Sequence, residues 1–461
     1  MRLLINMSFQ HVQTINSDGN VTIDEFFING KNLLTPNVFL GIKSNYSKRI
    51  DIDMNVAIKL IDNTSKINSF SGVYFPLESW NQIYRKLTPE QFSFLIGNPI
   101  DRKILLLPSV EFLYYGLDKK IKSHIDLINT NYPNILRYYS EYRRFLKGTK
   151  ASIKSYHKWI PNIDKNLPNY VFDFLRLQHQ VKTLFLVPPT PPIFDLSIGL
   201  EYAEKTFSIG RHFLSSISVT DKRNIEYEDI EPISLFLPIS ITAFKNINTV
   251  KNAIAKLERI FTNFKPDIII LKFFDDSPYI SINNQNLKGL EYFSRSIIKY
   301  CKENRKLSGV LDSRDLGRIL LYKGINFIGL PVNKKTSVVP QGGRLGPPPL
   351  ENWSLVDPKT RDEITYSNFK KKYSSTGGIR TTSISLPYLT DIQGIYNKKT
   401  ISKLTPQELT EFSKLIPLIL VGDDIAQLKD AVVSGTIRTI IGRFRGGTSK
   451  FANKIRFLLN E

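Results

Sequence analysis

Residues 181–332 alternate short apolar runs with longer amphipathic runs, and this rhythm is the strongest constraint on the fold. The apolar runs are KTLFLV, PISLFLPIS, PDIIILKFF, LSGVL and INFIGLP, and each of the first four precedes a segment with helical spacing of apolar residues. Strands without polar alternation, separated by helices, are typical of a parallel sheet with both faces covered. The sequence therefore predicts an α/β fold.

Within that class we expect a partial or complete (β/α) barrel of the TIM type. Several runs end in proline or a polar residue at similar places, and the helix-to-strand turn at Lys323-Gly324-Ile325 is short. An open doubly wound parallel sheet is the alternative. No glycine-rich nucleotide fingerprint follows any strand, which disfavours a dinucleotide site in such a sheet.

Composition shifts divide the chain into four segments, and turn signals give the elements of each. Residues 1–75 are predicted to be β-rich, with strands in VTIDEFFING, NVFLGIKS and MNVAIKLID. Residues 76–180 are predicted to be mainly helical, and GVYFPLESWNQIYRKL already reads as helix. Residues 181–400 are predicted to form the barrel-like core, with long basic loops rich in Gly and Pro. Residues 401–461 are predicted to form a helical, basic C-terminal segment.

Thr88-Pro89-Glu90-Gln91 and Thr405-Pro406-Gln407-Glu408 match the capping box with proline at the first helical position. Both are structural signals that predict helix starts. Asp423-Asp424, which precedes IAQLKDAVV, is interpreted in the same way as a helix cap.

The chain carries 63 Lys and Arg against 42 Asp and Glu, a net charge of +21. Such an excess favours a polyanionic partner, and nucleic acid is the commonest one. An AT-rich genome that encodes Lys freely is the competing explanation. With one cysteine, Cys301, no signal peptide and no run of about 20 apolar residues, we expect a cytoplasmic protein without membrane segments or internal disulfides. Cys301 itself is predicted to be a small buried core residue.

The carboxyl ends of the predicted strands supply the candidate catalytic residues. In PDIIILKFF, the side chains of Ile268, Ile270 and Lys272 share one face, so a lysine interrupts an apolar surface. Asp312 ends the next strand and is predicted to serve as a general base, a nucleophile or a partner for Lys272. A purely structural Lys272–Asp312 ion pair is the alternative. Asn333 follows the last strand as a candidate substrate ligand or a turn residue.

Asp275, which alternation places on the opposite face from Lys272, is a further catalytic candidate because it forms with Asp276 an acidic pair that can bind Mg²⁺. The five histidines lack paired ligand spacing, so no imidazole metal site is expected.

Basic residues interleaved with aromatic residues supply the candidate nucleic-acid contacts, since cations neutralise phosphates and rings stack on bases. An amphipathic helix with its rings in the core is the alternative for the first group. The candidates are Arg137, Tyr138, Tyr142, Arg143, Arg144 and Trp159, then Lys370, Lys371, Lys372 and Arg380 in a glycine-rich loop, and Arg443 and Arg445 near the C-terminus.

Three functional hypotheses remain open from the sequence. The first is a barrel-type enzyme, a transferase or hydrolase that modifies tRNA or DNA at a nucleobase or its glycosidic bond. The second is a nucleic-acid-binding scaffold without catalysis. The third is an enzyme that acts on a small phosphorylated metabolite, with the glycine-rich loops as the phosphate clamp.

Overall fold

The computed structural model describes the parts of the chain that form the central sheet and its surrounding helices. The described residues are 9–42, 50–63, 69–77, 88, 90–91, 103–108, 132–146, 160, 164–220, 231–274, 284–312, 314–332, 354–356, 363–365, 368 and 406–445.

Strands are labelled here in chain order within the described residues. They are β1 (Phe9–Asp18), β2 (Val21–Ile28), β3 (Lys31–Leu34), β4 (Asn37–Gly41), β5 (Phe70–Pro76), β6 (Lys103–Leu107), β7 (Ser234–Ser240), β8 (Ile268–Phe274), β9 (Leu307–Leu311), β10 (Phe327–Pro331), β11 (Ser354–Val356) and β12 (Glu363–Thr365).

The α-helices are labelled in the same way. They are α1 (Ile50–Asn63), α2 (Pro133–Leu146), α3 (Leu167–Val181), α4 (Leu196–Thr220), α5 (Ile247–Phe264), α6 (Asn284–Asn304), α7 (Arg314–Lys323), α8 (Pro406–Val433) and α9 (Ile437–Arg445). No helix of the described residues is both long and apolar enough to cross a membrane.

Seven parallel strands form one sheet in the order β6-β5-β4-β10-β9-β8-β7, and the sheet curls into a half-barrel. The prediction of an α/β fold with a parallel sheet is confirmed. The sheet draws on β4, β5 and β6 as well as on the strands of residues 181–332. Its middle is formed where β4 and β10, the first and last of its own strands in chain order, lie side by side. This contact is a parallel pairing of Phe39 with Gly329.

The two faces of the sheet carry two separate apolar clusters because successive side chains of a strand point to opposite sides. The outer cluster joins the strands to the helices and includes Leu271 and Ile328. The inner cluster fills the concave face and includes Phe39, Phe236 and Ile270. Helices therefore cover the convex face, while the concave face encloses a core of its own.

Residues 184–187 hydrogen-bond to both edge strands of the sheet, β6 and β7. The Leu184 amide donates to the Ile104 carbonyl at 2.9 Å, and the Ser234 amide donates to the Leu186 carbonyl at 2.8 Å. Beyond Val187 the chain continues as Pro-Pro-Thr-Pro-Pro before Ile193 bridges to Ile239. Proline has no N–H to donate, which explains why this segment pairs through single bridges and not through a continuous ladder.

The antiparallel strands β1, β2 and β3 form a small sheet at the amino end of the half-barrel. Phe26 and Leu33 of this small sheet belong to the inner cluster together with Ile268 and Leu307, the first residues of β8 and β9. The β2–β3 turn is Asn29-Gly30, both with positive φ, which is the typical two-residue hairpin turn. The small sheet therefore covers the concave core at the amino ends of the parallel strands.

Two predicted elements are wrong. MNVAIKLID, predicted as a strand, lies in helix α1, and its buried residues Met54, Ala57 and Leu60 follow helical spacing. GVYFP, predicted to begin a helix, lies in strand β5, and Val73 and Tyr74 face opposite clusters as strand residues do. Both segments are short apolar runs, for which periodicity does not separate strand from buried helix.

The capping box at Thr88 is confirmed. The Gln91 amide donates to Thr88 Oγ1 at 3.2 Å, and the Thr88 amide donates to Gln91 Oε1 at 3.1 Å. At the second box, helix α8 begins at Pro406 as predicted.

Helix α8 connects the beginning and the end of the sheet. Its Glu411 pairs with Lys59 and its Lys414 pairs with Asp53, both on α1, whereas Asp424 pairs with Arg318 on α7. The interpretation of Asp424 as a helix cap is wrong because α8 runs unbroken through this position. The carboxylate instead accepts from Arg318 Nη2 at 2.9 Å and from the Tyr322 hydroxyl at 3.0 Å.

We predict that Asp424→Asn destabilises the protein by about 3–5 kcal/mol, because the buried Arg318 would lose the charge of the carboxylate that pairs with it. Both side chains of this pair are 3% exposed. The free energy of unfolding, measured by urea denaturation, checks this value.

Glu204→Gln is the matched control. Glu204 lies 3.9 Å from Arg259, whose side chain is 61% exposed, so its loss is expected to cost less than about 1 kcal/mol. Equal losses for the two variants would show that the Arg318–Asp424 pair does not hold α8 against α7.

Candidate functional site

The carboxyl ends of β8 and β9 place two opposite charges inside the half-barrel. Lys272 lies on β8, on the same face as Ile268 and Ile270 of the inner cluster, as the alternation predicted. Its Nζ lies 2.7 Å from Oδ2 of Asp312, the residue that directly follows β9. The two side chains are only 5% and 6% exposed, so each charge is compensated by the other within the protein.

Asp312 reaches the interior through an unusual backbone conformation. Leu311 points into the inner cluster, so regular alternation would send the next side chain to the helical side. Asp312 instead has φ +58, in the left-handed region. Its amide still donates to the Gly329 carbonyl at 3.0 Å, so the turn begins while the ladder continues. The left-handed conformation therefore allows the carboxylate to face Lys272.

Tyr74, on strand β5, is the third member of the polar cluster formed with Lys272 and Asp312. Its hydroxyl donates to Asp312 Oδ1 at 2.6 Å. The ring starts on β5 and lies over Gly41 and Gly329, where a Cβ atom at either glycine would collide with it. Two glycines on neighbouring strands thus give the ring room to cross β4 and β10 and reach the carboxylate.

Sequence reasoning missed Tyr74 because its segment was interpreted as helix. A signal was nevertheless present, since FSGVYFP is a run of strand length with aromatic residues and a closing proline. The glycines at 41 and 329 also fall in predicted strands, where glycine marks the close approach of another group.

The arrangement defines what this cluster can do chemically. Each carboxylate oxygen of Asp312 has its own partner, Tyr74 at Oδ1 and Lys272 at Oδ2, so the group has a fixed orientation. A fixed carboxylate in a buried site can act as a nucleophile, as a base, or as the counter-charge to a developing cation. Lys272 and Tyr74 can supply protons or hydrogen bonds to the same reaction.

The other two candidate catalytic residues, Asp275 and Asn333, lie outside the described residues. Asp276 also does, so the predicted Mg²⁺ site is not tested. Within the described parts of the chain, no group of three or more His, Cys, Asp or Glu side chains could hold a metal ion.

Of the nucleic-acid candidates, Arg137 and Tyr138 lie in well-described positions on helix α2. Arg137 is exposed, and its Nε donates to Glu141 at 3.1 Å. Tyr138 is 2% exposed and packs edge-on against Tyr170 and Phe174. The interpretation of Tyr138 as a base-stacking residue is therefore wrong, because its ring belongs to the core between α2 and α3.

The remaining nucleic-acid candidates lie where the structure does not describe side chains. For Tyr142, Arg143, Arg144, Arg443 and Arg445 only the helical backbone is described, and Trp159, Lys370, Lys371, Lys372 and Arg380 lie outside the described residues.

Cys301 is a buried free cysteine on α6, as predicted. Burial raises the pKa of its thiol well above its usual range, which suits a core residue and not a nucleophile.

No protein-family model matches the chain, and no curated protein matches it with significance.

We predict that Asp312→Gly is more stable than Asp312→Ala by about 1 kcal/mol. Both variants remove the carboxylate equally, so their difference isolates the cost of a Cβ atom at a left-handed position. Urea denaturation of the two proteins measures it.

Position 251, an exposed site within helix α5, serves as the control. There Lys251→Gly should be less stable than Lys251→Ala by about 1 kcal/mol, the opposite order. The same order at both positions would show that Asp312 is not strained.

Proposed function

We propose that this protein is an enzyme that modifies nucleic acid at a nucleobase or its glycosidic bond, with Asp312 as the reacting carboxylate. The observation that carries the proposal is the Asp312 carboxylate, turned inward by a left-handed backbone and held by Lys272 and Tyr74 at the carboxyl ends of parallel strands. Reactive groups of α/β proteins gather at this edge.

We further propose that the curled sheet is a closed (β/α) barrel, with residues 184–187 as its eighth strand. The supporting observations are the hydrogen bonds from this segment to Ile104 of β6 and to Ser234 of β7. Counted in this way, the strands follow one another around the barrel in chain order from β4 to β10. Helix α8 then takes the place after β10 and packs against α1.

The chemistry of a glycosidic bond suits the cluster. When the bond from the sugar carbon to the base nitrogen breaks, its electron pair leaves with the base and positive charge develops on the sugar. The Asp312 carboxylate can either bond to that carbon or stabilise its charge. Lys272 or Tyr74 can donate the proton that the departing base nitrogen requires. Water or the ring nitrogen of a second base then bonds to the sugar carbon and gives up a proton, and where Asp312 has bonded to that carbon, the carbon–carboxylate bond breaks and the carboxylate is restored.

The polymeric character of the substrate rests on charge. The chain's net charge of +21 favours a polyanion. The glycine-rich stretch 370–380 contributes Lys370, Lys371, Lys372 and Arg380 to this excess. A substrate base that reacts inside the half-barrel would have its phosphates outside, where cations are useful.

The second candidate function is a nucleic-acid-binding scaffold. One observation favours it: Lys272 and Asp312 compensate each other's charge, as a purely structural pair would. The two functions differ in what the loss of the carboxylate does to turnover.

We predict that Asp312→Asn still binds nucleic acid but releases base from it at least about 100-fold more slowly than the native protein. The protein is incubated with single- and double-stranded DNA and RNA oligonucleotides, and free bases are quantified by chromatography with mass detection. Filter binding on the same samples should weaken by about 1,000-fold or more between 50 and 200 mM salt.

Tyr74→Phe is the matched variant, because it removes only the hydroxyl that orients Asp312. It should show a smaller loss of turnover than Asp312→Asn. Base release that is unchanged in Asp312→Asn would overturn the catalytic assignment, and absence of base release by the native protein from all four polymers would favour the scaffold. A binding affinity that does not change with salt concentration would favour a small phosphorylated metabolite as the substrate.

A further inference from the structure

The amino end of the sheet, opposite to Asp312, carries a row of cations in an unusual backbone conformation. Lys182, Lys265 and Arg305 each stand where a helix has ended and the chain is about to enter the sheet. Their φ angles are 55°, 45° and 55°, all in the left-handed region. All three side chains are exposed.

Glycine is the usual residue at such a position, because a Cβ atom in the left-handed region costs about 1 kcal/mol or more. Gly324, with φ +110, stands at the equivalent turn before β10. A cation near a helix C-terminus gains roughly 0.3–1 kcal/mol from the helix dipole, which offsets only part of that cost. Local stability therefore does not explain three cations at these turns.

The three turns lie side by side on one end of the molecule. Lys265 precedes β8 and Arg305 precedes β9, and these strands pair from their first residues, Ile268 with Leu307. Lys182 precedes the segment 184–187, which hydrogen-bonds to β7, the other neighbour of β8. Adjacent strands are about 4.8 Å apart, so the cations form an arc with a spacing of one to two strands.

Three acids of the neighbouring segments already have basic side chains as partners. Asp267 pairs with Lys306, Glu303 lies 4.0 Å from Lys299, and the buried Glu231 lies 2.7 Å from His179 Nδ1. Among the described residues, the side chains of Lys182, Lys265 and Arg305 make no hydrogen bond or ion pair. Their positive charge is thus open to a partner outside the chain.

We propose that this arc, formed by Lys182, Lys265 and Arg305, binds the phosphate backbone of nucleic acid. Three exposed cations without internal partners attract a polyanion through counterion release. An anionic membrane is the alternative partner: none of the exposed large apolar side chains belongs to these turns, although Val12, Ile15 and Phe27 lie on the small sheet at the same end of the half-barrel. The arc lies at the opposite end of the sheet from Asp312, so it extends the proposed polymer binding and does not depend on the catalytic assignment.

The test is the triple variant Lys182→Gly, Lys265→Gly and Arg305→Gly. Because glycine relieves the left-handed strain, its melting temperature should equal or exceed that of the native protein. Its affinity for a labelled DNA duplex should fall, and the slope of log affinity against log salt should shrink by about 3, near 0.9 for each lost phosphate contact.

The matched control removes three cations that have acidic partners: Lys205→Gln, Arg259→Gln and Lys299→Gln. It changes the net charge by the same amount and should leave the salt slope nearly unchanged. Equal slopes for the two triple variants, or tighter binding of the native protein to vesicles of anionic lipid than to duplex, would overturn the proposal. Release of base by Asp312 is measured separately, so failure of the arc leaves the proposed chemistry standing.

Discussion

The arrangement of the sheet's interior at the carboxyl ends of β8 and β9 depends on the Lys272–Asp312 ion pair. A single charge on the concave face would be costly, so the lysine on β8 requires a carboxylate within reach. The strand alternation of β9 offers none, because Leu311 takes the inward position. The left-handed turn at Asp312 solves this, and Tyr74 then fills the space over Gly41 and Gly329. One buried charge thus accounts for the backbone conformation and the small residues around it.

The parts of the structure that follow from local pattern were predictable. Strands β7 to β10 are unbroken apolar runs, and the alternation in β8 places Lys272 on the inner face from sequence alone. The position of Asp312 at a strand end also follows from the sequence. Its inward direction does not, because φ +58 departs from the strand pattern that the prediction extends. Its contact with Lys272 was one of several open alternatives.

The parts that depend on distant packing were not predictable. Tyr74 and Asp312 are 238 residues apart, and only closure of the sheet between β4 and β10 brings them together. Asp424 resembled a helix cap because nothing local reveals Arg318. Tyr138 resembled a surface ring because its neighbours in sequence are cationic, whereas its neighbours in space are Tyr170 and Phe174. In each case tertiary burial overrides the local signal.

Whether the Lys272–Asp312 pair is structural or catalytic can be argued from its cost. Apolar residues of similar volume would usually stabilise a core as well as a buried ion pair does, without strain. Here the pair is accompanied by a left-handed aspartate and by two glycines that admit a tyrosine ring. Each of these features lowers the stability that the same sheet could reach. Backbone strain in proteins clusters at functional sites, so this cost supports the proposal that Asp312 is a reacting carboxylate.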